Sequence, residues 1–306
     1  MAIVVIGTSF VDIKGFPDNV YIPTGRNAGK VVTIHGGVGR NVVEDIANVE
    51  LEPRFLSLVE DSDMGRAVVA KLNKHKVDTR YVLTSEDGMG IYLAVFDESG
   101  DVVGSVSQRP VMLPLAELIE EKGDEIFADA DSIVIEIDID KEVLKPTLKY
   151  AKKYNKPVYA VVSNMSIASK RRDLIHAVDC IVCNEQEAEL LFVTDFSEIS
   201  PEELADKLPS LIANADITSV VVTLGEKGAV YASDKGEAGY CPARPVNVAD
   251  TTGAGDAFFS GVAIGLTYGK SLKESVEIGT RLASSVIISS ENVCPRFLPS
   301  EFGINL

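Results

Sequence analysis

The chain has 306 residues, and 29 basic against 46 acidic side chains give 29 − 46 = −17 at neutral pH. That balance argues against a nucleic-acid polymer or an anionic membrane as partner, because both need a basic footprint. Four uneven cysteines make no disulfide framework; no signal sequence or stretch of about 20 apolar residues is present, so a reducing cytoplasm is the expected location.

Along the chain, short β-branched runs alternate with longer amphipathic stretches. The first strand is expected over Ile3–Ile6, followed by Gly7 and a polar loop carrying Asp12. Ligands of open α/β sheets bind beyond the carboxyl ends of the strands, so Asp12 can accept hydrogen bonds from two sugar hydroxyls; a solvated loop aspartate is the plain alternative. Residues 10–35 are rich in Gly, Pro and Asn, with short extended pieces at Val20–Ile22 and Lys30–Ile34. Then comes His35-Gly36-Gly37-Val38-Gly39-Arg40-Asn41, leading into a helix with Val42, Val43, Ile46 and Val49 at helical spacing. Paired glycines admit a ligand to the backbone, and Asn41 offers both a donor and an acceptor to a hydroxyl. Asn41 as a simple helix cap fits as well, and His35 beside the glycines is a candidate to meet the substrate.

Further strands are expected at Arg54–Leu58, Ile91–Phe96, Ser132–Asp138, Val158–Val162, Cys180–Cys183 and Ser219–Thr223, with helices over Lys141–Tyr154 and Pro201–Ala213. The near-continuous apolar runs suit parallel strands buried on both faces. The alternation predicts a doubly wound, mostly parallel α/β sheet flanked by helices, and the length suits one large unit over 1–306 or two domains. Residues 89–108 read as a hairpin turning at Asp97–Asp101. With the excursion over about 12–34 it can form a small β-sheet lid, whose exposed strands can pair two chains into a homodimer.

Asn184-Glu185-Gln186-Glu187 follows the Cys180–Cys183 strand and has capping-box spacing; alternatively Asn184 and Glu187 support Mg²⁺ through water. Thr223-Leu224-Gly225-Glu226-Lys227-Gly228 precedes a strand at Ala229–Ala232 and reads either as a hairpin or as a nucleotide floor. The most informative segment is Asp250-Thr251-Thr252-Gly253-Ala254-Gly255-Asp256, which opens a strongly helical stretch from Gly253 to Ser290. A helix starting there aims free N–H groups and its positive dipole end at the loop, a site suited to phosphate. Asp256 can take a proton from an attacking hydroxyl, or can simply be a first-turn carboxylate favoured by the dipole.

Other patterns carry no chemistry. Gly265-Leu266-Thr267-Tyr268-Gly269-Lys270-Ser271 has three residues between its glycines where a Walker A loop has four; it ends one helix and starts another with Ser271 as cap. Gly37-Val38-Gly39 lacks the third glycine of a dinucleotide fingerprint. Cys180 and Cys183 point to opposite faces of their strand. His75 and His176 are expected on helix surfaces.

Together, Gly36-Gly37 with Asn41 and Asp250-Thr251-Thr252-Gly253-Ala254-Gly255-Asp256 resemble the two signatures of the ribokinase (PfkB) carbohydrate kinases. Asp12, Asn184-x-x-Glu187 and Thr223-Leu224-Gly225 fall in the family's order, so the resemblance spans the chain. It implies phosphoryl transfer from ATP with Mg²⁺ to a sugar or nucleoside hydroxyl. By that resemblance Asp256 is the catalytic base and Gly253, Ala254, Gly255 and Asp256 form the anion hole. Asp12, Gly36, Gly37 and Asn41 bind the substrate. Asn184, Thr223, Gly225 and Gly228 line the nucleotide, and Asn184 and Glu187 serve Mg²⁺. A monovalent cation (K⁺) beside the anion-hole loop is also implied, although Ser289–Asn292 matches no pattern from which to assign ligands. Asn27-Ala28-Gly29-Lys30-Val31, with Gly36–Asn41, is similar to the pseudouridine kinase branch, with Ala28 where that branch usually has Pro. Val161–Ser166 and Ser289–Cys294 lean the same way. Pseudouridine, phosphorylated at its 5′-hydroxyl, is therefore the expected substrate, with ribose or another sugar or nucleoside as the alternative. A phosphosugar is disfavoured, because basic residues near the loops are limited to Arg26, Lys30, Arg40 and Arg109. A non-catalytic sugar- or nucleoside-binding regulator on the same fold is the reading from another class.

Overall fold

A computed structural model describes residues 2–164 and 172–305; the part of the Val161–Ser166 run beyond 164 lies outside them. In chain order the elements are β1 (Ala2–Ile6), β2 (Phe10–Pro17), β3 (Gly29–Gly36), α1 (Val38–Asn48), β4 (Arg54–Val59), α2 (Asp63–Lys74) and β5 (Asp78–Thr84). Next come β6 (Gly90–Phe96), β7 (Val102–Gln108), α3 (Leu113–Phe127), β8 (Ala130–Glu136), α4 (Lys141–Tyr154) and β9 (Val158–Val161). The rest are α5 (Arg172–Ile175), β10 (Cys180–Asn184), α6 (Glu185–Phe192), α7 (Pro201–Ala215), β11 (Ser219–Thr223), β12 (Ala229–Ser233), β13 (Ala238–Cys241), α8 (Ala254–Thr267) and α9 (Leu272–Ile287).

Among the described residues, nine strands form the main sheet in the order β13-β12-β11-β10-β9-β8-β1-β4-β5. Its pairings are parallel except at one edge, where β12 pairs antiparallel with both β11 and β13. Alternation along the strands sends side chains into two separate layers. Val4 and Ile6 face one layer with α3, α4 and α7, whereas Ile3 and Val5 face the other with α1, α8 and α9. Cys180 and Cys183 divide between the same two layers, as their spacing predicts.

β3-β2-β6-β7 form a smaller, separate sheet, built from the two segments expected to leave the main one. β2 itself is longer than anything expected there, and Val20–Ile22 is exposed and lies outside any strand. The hairpin β6–β7 turns at Asp97–Asp101 as expected, with the Asp101 carbonyl accepting from the Asp97 N–H at 2.9 Å. Ser271 caps α9 through a capping box with Glu274. His75 departs from the expectation: at the end of α2 it is half-buried, and its Nδ1 lies 2.7 Å from Asn48 Oδ1. No helix among the described residues is long and apolar enough to cross a membrane.

Candidate active site

Because β1, β8, β9, β10 and β11 are parallel, the loops that follow them gather at one edge of the sheet. There, between the two sheets, lies a cavity of about 480 Å³. The small sheet contributes Asp12 and Tyr92 to its lining, α1 contributes Asn41, the loop before α8 contributes Gly253, and β8 contributes Glu136.

Asp256 stands in the first turn of α8, half-buried. Asn41 Nδ2 donates to Asp256 Oδ2 at 2.6 Å. Asn41 is thus inside α1 rather than at its cap, and its Oδ1 is buried without a partner among the described residues. A buried acceptor without a donor is costly, and a hydroxyl donor is one group that would complete it. Burial pushes the Asp256 carboxyl up to about 6; Asn41 and Arg40 pull it down and Asp12 adds to the rise. A carboxylate poised there is ionised at neutral pH yet basic enough to accept a proton.

The anion-hole loop is narrower than its four residues suggest. The Ala254 N–H is already used, donating to the Thr251 carbonyl at 3.2 Å, so Ala254 contributes no free donor. The N–H groups of Gly255 and Asp256 have no acceptor among the described residues. Gly253 sits at φ +81°, where a Cβ would collide with the Asn292 carbonyl oxygen. Gly255 differs, because a Cβ there would meet nothing within 4 Å and would project into open space.

Asp12 is half-buried on β2, and burial raises its carboxyl above the usual range against the pull of Lys14 and Arg40. A Cβ on Gly36 would lie 2.6 Å from one Asp12 oxygen. Gly36 therefore makes room for Asp12 and does not itself line the cavity, whereas Gly37 does. His35 pairs with Val11 and Asp12 with Ile34 across β2 and β3, so His35 faces away from the Asp12 side. Its carbonyl accepts from Arg40 Nη2 and from Asn292 Nδ2.

Glu136, outside the expected site residues, lines the same cavity as Arg109. Glu136 Oε1 accepts from the Thr8 and Gly39 N–H groups, each at 2.6 Å. Burial, then the neighbouring Asp138, pushes its carboxyl up to about 8. Two acids ending an apolar strand, Glu136 and Asp138, were a readable signal. Arg109 is the one cationic side chain lining the cavity among the described residues; its Nη2 donates to Asp138 Oδ2 at 2.9 Å.

The expected nucleotide residues lie further along the same edge. Asn184 and Thr223 are register partners at the ends of β10 and β11. The capping box at α6 is real: Asn184 Oδ1 accepts from the Glu187 N–H at 2.9 Å and Glu187 Oε2 from the Asn184 N–H at 2.8 Å. This leaves Glu187 Oε1 and Asn184 Nδ2 with no bond to a described residue. Burial raises the Glu187 carboxyl, and Asp138 adds to the rise. Thr223–Ala229 is a hairpin turn from β11 to β12. Gly228 stands at φ +107° against the backbone of Cys241–Ala243, so packing alone requires it, whereas Gly225 faces open space.

The pfkB family carbohydrate kinase model matches residues 2–295. Guanosine-inosine kinase of Exiguobacterium acetylicum is 34% identical over 292 residues, 95% of each chain. Pseudouridine kinase of Escherichia coli is 26% identical over 291 residues, 94% of this chain and 91% of that one. Ribokinase of Arabidopsis thaliana, solved with ribose and ATP, shares the fold with a TM-score of 0.82 at 20% identity over 97% of each chain. With both signatures facing one cavity and the family match running across nearly its whole length, the chain belongs to the pfkB family of carbohydrate kinases, phosphotransferases acting on a sugar or nucleoside hydroxyl.

Proposed function

We propose that the chain is an ATP-dependent nucleoside kinase that phosphorylates the 5′-hydroxyl of a 6-oxopurine nucleoside such as guanosine or inosine. The observation that carries this reading is the 34% identity to guanosine-inosine kinase across 95% of both chains. Pseudouridine, expected from the Asn27–Asn41 run, is the second reading, supported by 26% identity to a pseudouridine kinase. Four free thiols suit a cytoplasmic setting. The exposed Val31, Leu93 and Val106 on the small sheet suit pairing with a second copy.

In this reading the small sheet is a lid. Asp12 and the free Oδ1 of Asn41 hold ribose hydroxyls while Asp256 accepts the proton of the attacking hydroxyl. The N–H groups of Gly255 and Asp256, at the positive end of α8, face the transferred phosphoryl group. Arg109, anchored by buried Asp138, offsets its charge. Phosphoryl transfer depends on such positioning and charge stabilisation more than on covalent chemistry. Thr223 and Gly225 take the nucleotide side. Ala254 adds backbone shape only, and Gly228 keeps the hairpin closed.

Mg²⁺ fits the residues present: the unused Glu187 oxygen, on a carboxyl whose proton affinity is raised by burial and by the nearby Asp138, suits a hydrated cation. Bound with the nucleotide, Mg²⁺ supplies charge neutralisation on the phosphates. For K⁺ the residues do not fit in the same way. Asn292 turns its amide to the His35 carbonyl, so that side chain is already engaged.

The test is coupled ADP release with guanosine, inosine, adenosine, pseudouridine and ribose. Highest kcat/KM on guanosine and inosine supports the proposal. Turnover of ribose alone overturns it, and pseudouridine as the best substrate selects the second reading.

A further inference from the structure

We infer that Tyr92 is a specificity residue that stacks on the nucleobase and makes the site prefer nucleosides to free ribose. The inference rests on the nucleoside reading above and adds to it the residue that reads the base.

It follows from the register of the small sheet. Asp12 pairs with Tyr92 across β2 and β6, and Tyr92 pairs with Ser107 across β6 and β7. All three line the cavity, so they share the inner face of the sheet. Neighbouring strands lie about 4.7–4.9 Å apart, and Asp12 and Tyr92 are register partners on one face of parallel β2 and β6. A ribose whose hydroxyls bond Asp12 therefore carries its anomeric substituent within reach of the Tyr92 ring. On the far side of that ring the next positions are small: Ser107, with Ala94 and Ser105 one pair further along. The inner face thus has a ring beside a shallow slot, with the Ser107 hydroxyl at its rim.

Phe10 extends the aromatic wall. It lies two residues before Asp12 on the same face and pairs with Gly90, where any Cβ would strike the Phe10 ring. Tyr92 itself is half-buried, and no described residue bonds its hydroxyl. Neither core packing nor a polar partner explains a tyrosine there. In the nucleoside reading hydroxyl recognition is already supplied by Asp12 and Asn41, so a free sugar gives the ring little to do. A planar base gives it a π face to cover.

The experiment measures kcat and KM on guanosine, inosine, pseudouridine and ribose for the full chain, Tyr92→Ala and Tyr92→Phe. By the usual worth of base–aromatic stacking, Tyr92→Ala should lose about 10–100-fold in kcat/KM on nucleosides, mainly through KM. Ribose should change less than about threefold, and Tyr92→Phe should behave like the parent. A second readout uses the absence of tryptophan from the chain. In Tyr92→Trp the single indole should lose fluorescence when a nucleoside binds and keep it when ribose binds. Equal losses on ribose and nucleosides, or unchanged nucleoside kinetics in Tyr92→Ala, overturn the stacking role and leave the nucleoside reading standing. Turnover of ribose with no nucleoside accepted overturns both.

Discussion

Asn41 and Asp256 are 215 positions apart, yet Asn41 Nδ2 donates to Asp256 Oδ2 at 2.6 Å. This bond ties the helix after the first signature to the helix after the second. It fixes the carboxylate's orientation and leaves the other Asp256 oxygen free toward the cavity. Asp256→Asn keeps the shape and removes the basicity. It should lower kcat by about 10²–10⁴-fold, the usual range for a general base. ATP affinity by calorimetry and the melting temperature should stay at parental values. Turnover within tenfold of the parent would remove Asp256 from the base role.

The same pair predicts a pH profile. A base must be ionised to act, and Asp256 takes up its proton at about 6. kcat/KM should therefore fall as pH drops through 6 and level off above 7. Asn41 lowers the Asp256 proton affinity by donating to the charged form. In Asn41→Ala the acid limb should move to higher pH, alongside a raised KM for the substrate. A limb that stays in place would mean another group sets it.

Two neighbouring glycines should respond differently to the same change. Gly253→Ala puts a Cβ at φ +81° against the Asn292 carbonyl oxygen. It should cost at least about 1–3 kcal/mol of stability, read as a lowered melting temperature. Gly255→Ala meets nothing within 4 Å, so stability should hold or rise slightly with helix propensity. Its methyl would intrude where the phosphoryl group is proposed to lie, so activity should fall without any loss of fold.

Much of this was legible because burial was legible. Strands such as β1 and β11 are unbroken apolar runs, and a sheet covered on both faces demands that. β2 was missed because Asp12, Lys14, Gly15 and Pro17 interrupt it, and with one face turned to the cavity it never becomes apolar. β5 was missed as a mixed edge strand. In the site, Asp256 could be read from its local loop. Glu136 stands out in sequence only as an acid ending an apolar strand; its role does not, since its partners Thr8 and Gly39 lie 128 and 97 positions away. For Ala254 only the turn geometry reveals that its N–H donates to the Thr251 carbonyl.

Glu136 also makes stability depend on pH. Its proton affinity is raised from 4.5 in the unfolded chain to about 8 in the fold. The folded form then holds a proton that the unfolded form releases. The sign is fixed by linkage: this contribution is complete below 4.5 and is lost as pH rises through 8. Glu136→Gln keeps an acceptor for Thr8 and Gly39 but cannot ionise. The melting temperature of the parent should fall more steeply from pH 5 to 8.5 than that of the variant. Parallel slopes would show that Glu136 is charged in the fold.

Arg40 does not line the cavity, yet it holds the turn beside it. Arg40 Nη1 bonds Glu44 Oε2 at 2.7 Å, and both side chains are 1% exposed. Its Nε reaches the Gly36 carbonyl at 3.3 Å and its Nη2 the His35 carbonyl. The guanidinium thus clamps the turn that seats Asp12 and lends its charge to both Asp12 and Asp256. Removing one partner of a buried pair strands the other, at a cost of about 3–5 kcal/mol. Arg40→Met should therefore lower stability by that order in chemical denaturation, although Lys71, 2.8 Å from Glu44 Oε1, limits the damage. Arg40→Met with Glu44→Leu removes both charges and should recover much of the loss. Activity should not recover with it, because neither replacement restores the donors to His35 and Gly36. Recovery of stability and turnover together would mean that Arg40 only balances Glu44 and does not hold the turn.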